Sequence, residues 1–111
     1  FDEKKIQDSK FLFQKNIVFN PKNAKSYLYL AKIYKSEENQ IKELKNLNTT
    51  LLLEPKNEEA MQMLIEIELK KSNYSKVKKL IKNFKVICVE LCEKNTQFDK
   101  KLKNIEPKND S

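Results

Sequence analysis

Not one residue of this 111-residue chain is glycine, so every turn must be made without the residue that enters left-handed backbone at no steric cost. Tight two-residue hairpins depend on that freedom, and three prolines do not replace it. With hydrophobic residues at 39%, the blend suits close-set helices, and the class it predicts is all-α. No apolar run approaches the roughly 20 residues of a membrane span, and no basic-then-apolar signal segment opens the chain, so no transmembrane segment is expected. The first residue is Phe1 rather than Met, which points to a processed or cut end. A cytoplasmic setting is the expectation.

The chain repeats itself at an offset of 34 residues. Asn20-Pro21-Lys22-Asn23 returns as Glu54-Pro55-Lys56-Asn57, each preceded by an apolar residue, Phe19 or Leu53. Asn39 and Asn73 keep the same register. Each of Asn23, Asn39, Asn57 and Asn73 stands just before an apolar-periodic stretch, where its side chain suits an N-cap. Two caps per period predict two helices per period. After Asn23, Tyr27, Leu30, Ala31 and Tyr34 share one helical face, and after Asn39 the stripe is Ile41, Leu44, Leu47 and Leu51, stopped before Pro55. The next period offers Met61, Leu64 and Ile65, then Val77, Leu80, Ile81 and Phe84.

The segment from Ala24 to Pro55 resembles a tetratricopeptide repeat, with Tyr27, Leu30, Ala31, Tyr34, Glu43, Leu47 and Pro55 at the family's pattern positions. Glu43 departs from the small residue of the pattern, and in the following unit Ile65 and Glu68 depart while Val89 replaces the proline. Ser9, Phe13 and Pro21 fit the second half of a preceding unit. The resemblance implies a right-handed superhelical stack of antiparallel helix pairs, an α-solenoid, with an extra C-terminal helix. It divides a single domain, 1–111, into the second half of a preceding repeat (2–21), a repeat (24–55), a degenerate repeat (58–87) and a capping helix with tail (88–111). A plain bundle of helical hairpins is the alternative arrangement.

Beyond Phe84 the period fails, and Ile105-Glu106-Pro107-Lys108-Asn109 copies the turn 52 residues after Pro55. Phe84, Cys88, Leu91, Phe98, Leu102 and Ile105 keep helical spacing apart from Asn95, which allows one helix over 74–105. Thr96 with Asp99 three residues on resembles a capping box and favours a break near 94–96.

Catalytic equipment is sparse. Histidine is absent, which removes the commonest general base and zinc ligand, and without glycine no phosphate-cradling loop is built. No enzyme, catalytic residue, cofactor or metal site is expected. Cys88 and Cys92 are four apart in helical sequence, which disfavours a disulfide and predicts reduced thiols packed as small hydrophobes. Two thiolates with no other soft ligand nearby read as a poor metal site. Glu66 and Glu68 read as solvated surface.

The reading that remains is a protein-binding scaffold for a peptide or helical segment of another protein. The resemblance implies a groove lined by Lys25, Leu28, Lys32 and Lys35 on one helix and Glu59, Gln62, Met63 and Glu66 on another, on the sides turned away from the buried stripes. An alternative partner surface is basic. The net charge of +7 is carried wholly by lysine, and Lys78, Lys82 and Lys85 share the face of their helix opposite Val77, Leu80, Ile81 and Phe84. That face would meet nucleic acid or an anionic membrane surface, although without arginine it lacks the side chain best suited to bidentate phosphate recognition.

Overall fold

The computed structural model describes residues 3–108. Residue 2 of the expected first segment, Asn109 of the third turn copy and the last residues of the expected 88–111 tail lie outside the described residues. Six helices follow one another: α1 (Glu3–Phe19), α2 (Ala24–Ser36), α3 (Gln40–Leu53), α4 (Glu58–Lys70), α5 (Tyr74–Ile87) and α6 (Lys94–Asn104). The chain divides into two compact units, Phe1–Pro55 and Lys56–Ser111, so that α1 to α3 belong to the first and α4 to α6 to the second. Among the described residues no helix is long and apolar enough to cross a membrane.

The predicted caps explain where three helices begin. The side-chain oxygen of Asn23 accepts from the Lys25 N–H at 3.1 Å, that of Asn39 from Lys42 at 3.2 Å and that of Asn57 from Ala60 at 2.9 Å. Asn73 makes no such bond and donates its amide to the Glu68 carboxylate at 3.2 Å instead. Helix ends are set by a device that normally uses glycine. Glu38 (φ 57°) and Ser72 (φ 54°) both take left-handed backbone. At the first turn Glu38 N–H reaches Lys35 O and Asn39 N–H reaches Tyr34 O, at 3.0 and 2.9 Å; at the second, Ser72 reaches Leu69 and Asn73 reaches Glu68, at 3.0 and 3.1 Å. These are paired Schellman bonds, which close the last carbonyls of α2 and α4 and place the next capping asparagine one residue on.

In the first unit α2 packs against both neighbours. Leu30, Ala31 and Tyr34 of its predicted stripe are buried, together with Leu47 of α3, while Tyr27 is half-buried and ties its hydroxyl to Pro21 O at 2.8 Å. Ile41, predicted on the α3 stripe, is exposed. The α1 side of this unit is mostly polar. Lys10 pairs with Glu37 at 2.7 Å, Asn16 accepts from Ser26 Oγ at 2.8 Å, and Phe13 stacks on Tyr29 with centroids 5.0 Å apart. The ammonium of Lys10 holds the Glu37 carboxyl below the usual carboxylate range, against a smaller opposing effect of burial.

In the second unit α5 packs against α4 and α6 around Val77, Ile81 and Phe84, with Met61, Leu64 and Ile65 of α4 also buried. Phe98 anchors α6, edge-on to Phe84 at 5.3 Å and 2% exposed. The expected break near 94–96 falls earlier, at 88–93, so 74–105 is two helices. Thr96 lies inside α6 and Asp99 pairs with Lys85 at 3.0 Å rather than closing a capping box.

The tetratricopeptide resemblance is therefore corrected, and with it the superhelical α-solenoid. Among the described residues the protein is all-α, with packing between consecutive helices inside each unit and no repeating stack of tetratricopeptide form. Its departures from the pattern supply the physical reason. Positions where stacked helix pairs need small residues hold Glu43 and Ile65, an aromatic position holds Glu68, all three buried, and the proline position holds exposed Val89 in a loop. Glu68 corrects a second expectation, since it is not solvated surface. Its carboxylate is 2% exposed and lies 3.7 Å from Lys71 and 3.6 Å from Lys76.

The left-handed turns set a stability test. Glu38→Gly and Ser72→Gly should each raise unfolding free energy by about 0.5 to 1 kcal/mol, since an L-residue in this region costs roughly 1 to 2 kcal/mol, partly offset by glycine's extra chain entropy. Glu38→Val should lower it, because a branched Cβ fits worst there. Urea unfolding of the three variants checks this, and a stabilising valine would contradict it.

Candidate functional site

The most constructed feature of the second unit lies where α5 stops. Cys88 leaves the helix in extended backbone (φ −67°, ψ 141°), and α6 does not start until Lys94. A break of this kind strands backbone N–H groups that a continuing helix would have paired. Here one carboxylate takes them. Glu58 Oε1 accepts from Val89 at 2.5 Å, Glu90 at 3.1 Å and Leu91 at 3.1 Å, and Oε2 accepts a longer bond from Glu90 at 3.3 Å. Glu58 is the first residue of α4, held in place by the Asn57 cap, so the positive end of that helix adds to the attraction. The Leu91 N–H, then those of Val89 and Glu90, hold the Glu58 carboxyl below its ordinary range, and partial burial opposes them less strongly.

The loop is also closed covalently. Cys88 and Cys92 form a disulfide with Cα atoms 5.3 Å apart, which corrects the expectation of reduced thiols in a helix. The expectation fails because the helix ends at Ile87, freeing both residues from helical geometry. Glu58, Cys88 and Cys92 each bring one donor atom within 4.8 Å of the others, and Asn95 directs its amide N–H at Cys88 Sγ from 3.7 Å. Asn95 Oδ1 is buried without a hydrogen-bond partner among the described residues. An open cavity of about 260 Å³ lies beside this loop, lined by Asn57, Glu58, Glu59, Glu90 and Leu91. None of this was expected from the sequence. The one available signal was the helical apolar spacing interrupted at Asn95, and nothing marked a residue 30 positions before Cys88 as its partner.

The residues expected to line a groove fall on two different units. Lys25, Leu28, Lys32 and Lys35 lie on α2 of the first unit, and Glu59, Gln62, Met63 and Glu66 on α4 of the second. Leu28 and Met63 are each 7% exposed and so are not open to a partner. Lys25, Lys35 and Glu59 are exposed, Lys32, Gln62 and Glu66 half-buried, and Gln62 bonds Glu66 at 3.1 Å along its own helix. On the alternative basic face Lys78, Lys82 and Lys85 are exposed along α5. Two of the three have neighbours of their own: Lys78 sits over the Tyr74 ring at 5.9 Å, and Lys85 holds Asp99.

One surface was overlooked. Phe11, Leu12, Val18 and Phe19 of α1 are 62 to 78% exposed, on the side of the helix away from Phe13 and Lys10. They recur as two pairs seven residues apart, with Lys15 between them, and Phe11, Gln14, Lys15, Val18 and Phe19 line a shallow depression of about 380 Å³. The signal for it was present, since a helix of this register has more apolar residues than one buried face requires.

No protein-family model matches the chain, and no curated protein matches it.

The carboxylate clamp carries a pH prediction. Because the folded pKa of Glu58 is lowered, its contribution is present above the ordinary carboxylate range and is lost as pH falls through the lower folded value. In hydrogen exchange, protection factors at Val89, Glu90 and Leu91 should fall in that acid window. Glu58→Gln should lower them roughly tenfold at neutral pH, the scale of a lost charge-assisted bond. Unchanged protection at these three amides in Glu58→Gln would show that the carboxylate does not hold the loop.

Proposed function

We propose that this chain is a protein-binding module that seats an acidic amphipathic helix of a partner on the exposed face of α1. The observation that carries the reading is the run of Phe11, Leu12, Val18 and Phe19, apolar and exposed on a helix whose other side is occupied by α2. Apolar clusters of this kind mark interaction sites, and two pairs at heptad spacing suit a helix laid alongside. The charge of the occupant follows from the surroundings. Lys15 is exposed in the middle of the stripe and Lys22 just beyond its end, in a chain of net charge +7. Acidic residues flanking the partner's apolar face complement both.

The lysine face of α5 is the weaker alternative. Lys85 is already paired with Asp99, and an exposed ammonium row gains little specificity without planar donors.

Selection from a library of displayed helical peptides tests the reading. Recovered binders should carry an apolar stripe flanked by Asp or Glu, and Phe11→Glu or Val18→Glu should weaken them more than tenfold, as removal of an interface anchor does. Lys78→Glu with Lys82→Glu should leave them unaffected. Loss of binding only in the α5 variants would overturn the proposal, as would salt-sensitive binding to anionic vesicles with no peptide recovered.

A further inference from the structure

The pattern Cys88-Val89-Glu90-Leu91-Cys92 has a spacing that zinc sites use, and the structure supplies the third donor that the sequence did not reveal. We propose that, once the disulfide is reduced, Cys88, Cys92 and Glu58 hold one thiophilic divalent cation, with Zn²⁺ the best fit to the donor set.

Four features of the loop support the assignment. The Cα atoms of the two cysteines are 5.3 Å apart, and tetrahedral Zn²⁺ with Zn–S near 2.3 Å needs sulfurs only about 3.8 Å from each other. Released from their bond, the sulfurs reach that separation by side-chain rotation. The carboxylate of Glu58 is already within 4.8 Å of both and is oriented by its bonds to Val89, Glu90 and Leu91, as ligating carboxylates are held by outer partners. Those bonds crowd Oε1, whereas Oε2 accepts only the 3.3 Å bond from Glu90 and keeps lone-pair capacity for a cation. Finally, the Asn95 amide N–H is aimed at Cys88 Sγ from 3.7 Å, the kind of outer partner that orients a ligating sulfur.

The chemistry balances with a thiol of the glutathione class as reductant. Two such thiols transfer two electrons to the Cys88–Cys92 bond and leave as their own disulfide, giving two protein thiols. Binding M²⁺ then forms two metal–sulfur bonds and one metal–oxygen bond and releases the two thiol protons to solvent. Glu58 releases none, being ionised already. Cys92 is exposed, so the fourth position faces water and the site keeps an open coordination place. In the reverse direction a disulfide of the glutathione class accepts two electrons and two protons to become two thiols, the Cys88–Cys92 bond reforms and the ion leaves, so occupancy follows the thiol poise of the surroundings.

Anaerobic titration of the full chain, reduced with a phosphine that does not bind metal, tests this with Co²⁺ and Zn²⁺. One equivalent of Co²⁺ should bind per chain, with thiolate-to-metal charge-transfer absorption that Zn²⁺ displaces, and the oxidised chain should bind none. X-ray absorption of the Zn²⁺ form of the unaltered chain should give two sulfur and two lighter ligands, a readout that needs no variant to fold. Cys88→Ser and Cys92→Ser should each abolish the charge-transfer band, and Glu58→Gln should weaken Zn²⁺ by ten- to a hundredfold. Binding equal to that of the Cys88→Ser chain, four sulfurs around a metal shared by two chains, or unaltered affinity in Glu58→Gln would each overturn the site.

Discussion

Three backbone N–H groups between Cys88 and Cys92 find their acceptor in one carboxylate from the far end of the second unit, and the course of the chain there depends on it. Had α5 continued, Val89, Glu90 and Leu91 would have bonded the carbonyls of Lys85, Val86 and Ile87. The apolar spacing from Phe84 to Ile105 is compatible with that continuation. Glu58 offers the alternative: charge-assisted bonds at the positive end of α4, stronger than the neutral bonds they replace. What the break then gains is burial. With the chain turned at 88–93, Phe98 comes back onto Phe84 and becomes 2% exposed, a contact that a straight helix from 74 to 105 forbids. The disulfide closes the same short loop that the carboxylate holds, so the turn is fixed twice, once by charge and once by a bond that a reductant opens.

What was legible in the sequence was local. The capping roles of Asn23, Asn39 and Asn57 follow from an asparagine placed before an apolar period, because a cap involves only its own first turn. Asn73 sits in the same sequence context and does otherwise, since the buried Glu68 carboxylate five residues back needs its amide more than α5 needs a cap. The number and order of the helices from 24 to 87 were also readable from periodicity. The position of the break after α5 was not, because its causes are a carboxylate 30 residues upstream and a covalent bond, and neither leaves a periodic trace. Cys88 and Cys92 were misread for the same reason: judged against a regular helix they cannot bridge, and the helix is absent at that point.

The recurrence at 34 residues is present in the backbone, though not as a stack. Glu38 and Ser72, 34 apart, take the same left-handed conformation, close the same pair of carbonyls and hand over to the same capping residue. Such a turn is determined by about six residues, so it recurs whenever its local sequence does. Stacking is a different demand, because it requires helices to approach closely along their whole length and hence small side chains at the crossing points. Glu43 and Ile65 occupy those points with bulk, and Glu68 replaces an aromatic ring of the pattern, so that two buried carboxylates must be neutralised. Glu68 meets the requirement with Lys71, Lys76 and Asn73 from its own unit. A sequence can therefore keep the punctuation of a repeat after losing the spacing that makes repeats assemble.

That internal use of charge also bears on where the proposed partner would gain its affinity. Lys10 is engaged by Glu37, Lys71 and Lys76 approach Glu68, and Lys85 holds Asp99, so part of the lysine surplus is already spoken for within the fold. Exposed ion pairs between a partner and surface lysines contribute about 0 to 1 kcal/mol each and weaken with salt. Covering a Phe, Leu or Val side chain removes apolar surface worth about 1.5 to 3 kcal/mol. The stripe of Phe11, Leu12, Val18 and Phe19 thus outweighs any equal number of surface lysines as a source of binding free energy. In the proposed complex the lysines beside it would act on a different quantity: Lys15 and Lys22 would select the sign of charge on the approaching helix and speed its encounter, while the apolar side chains would keep it in place.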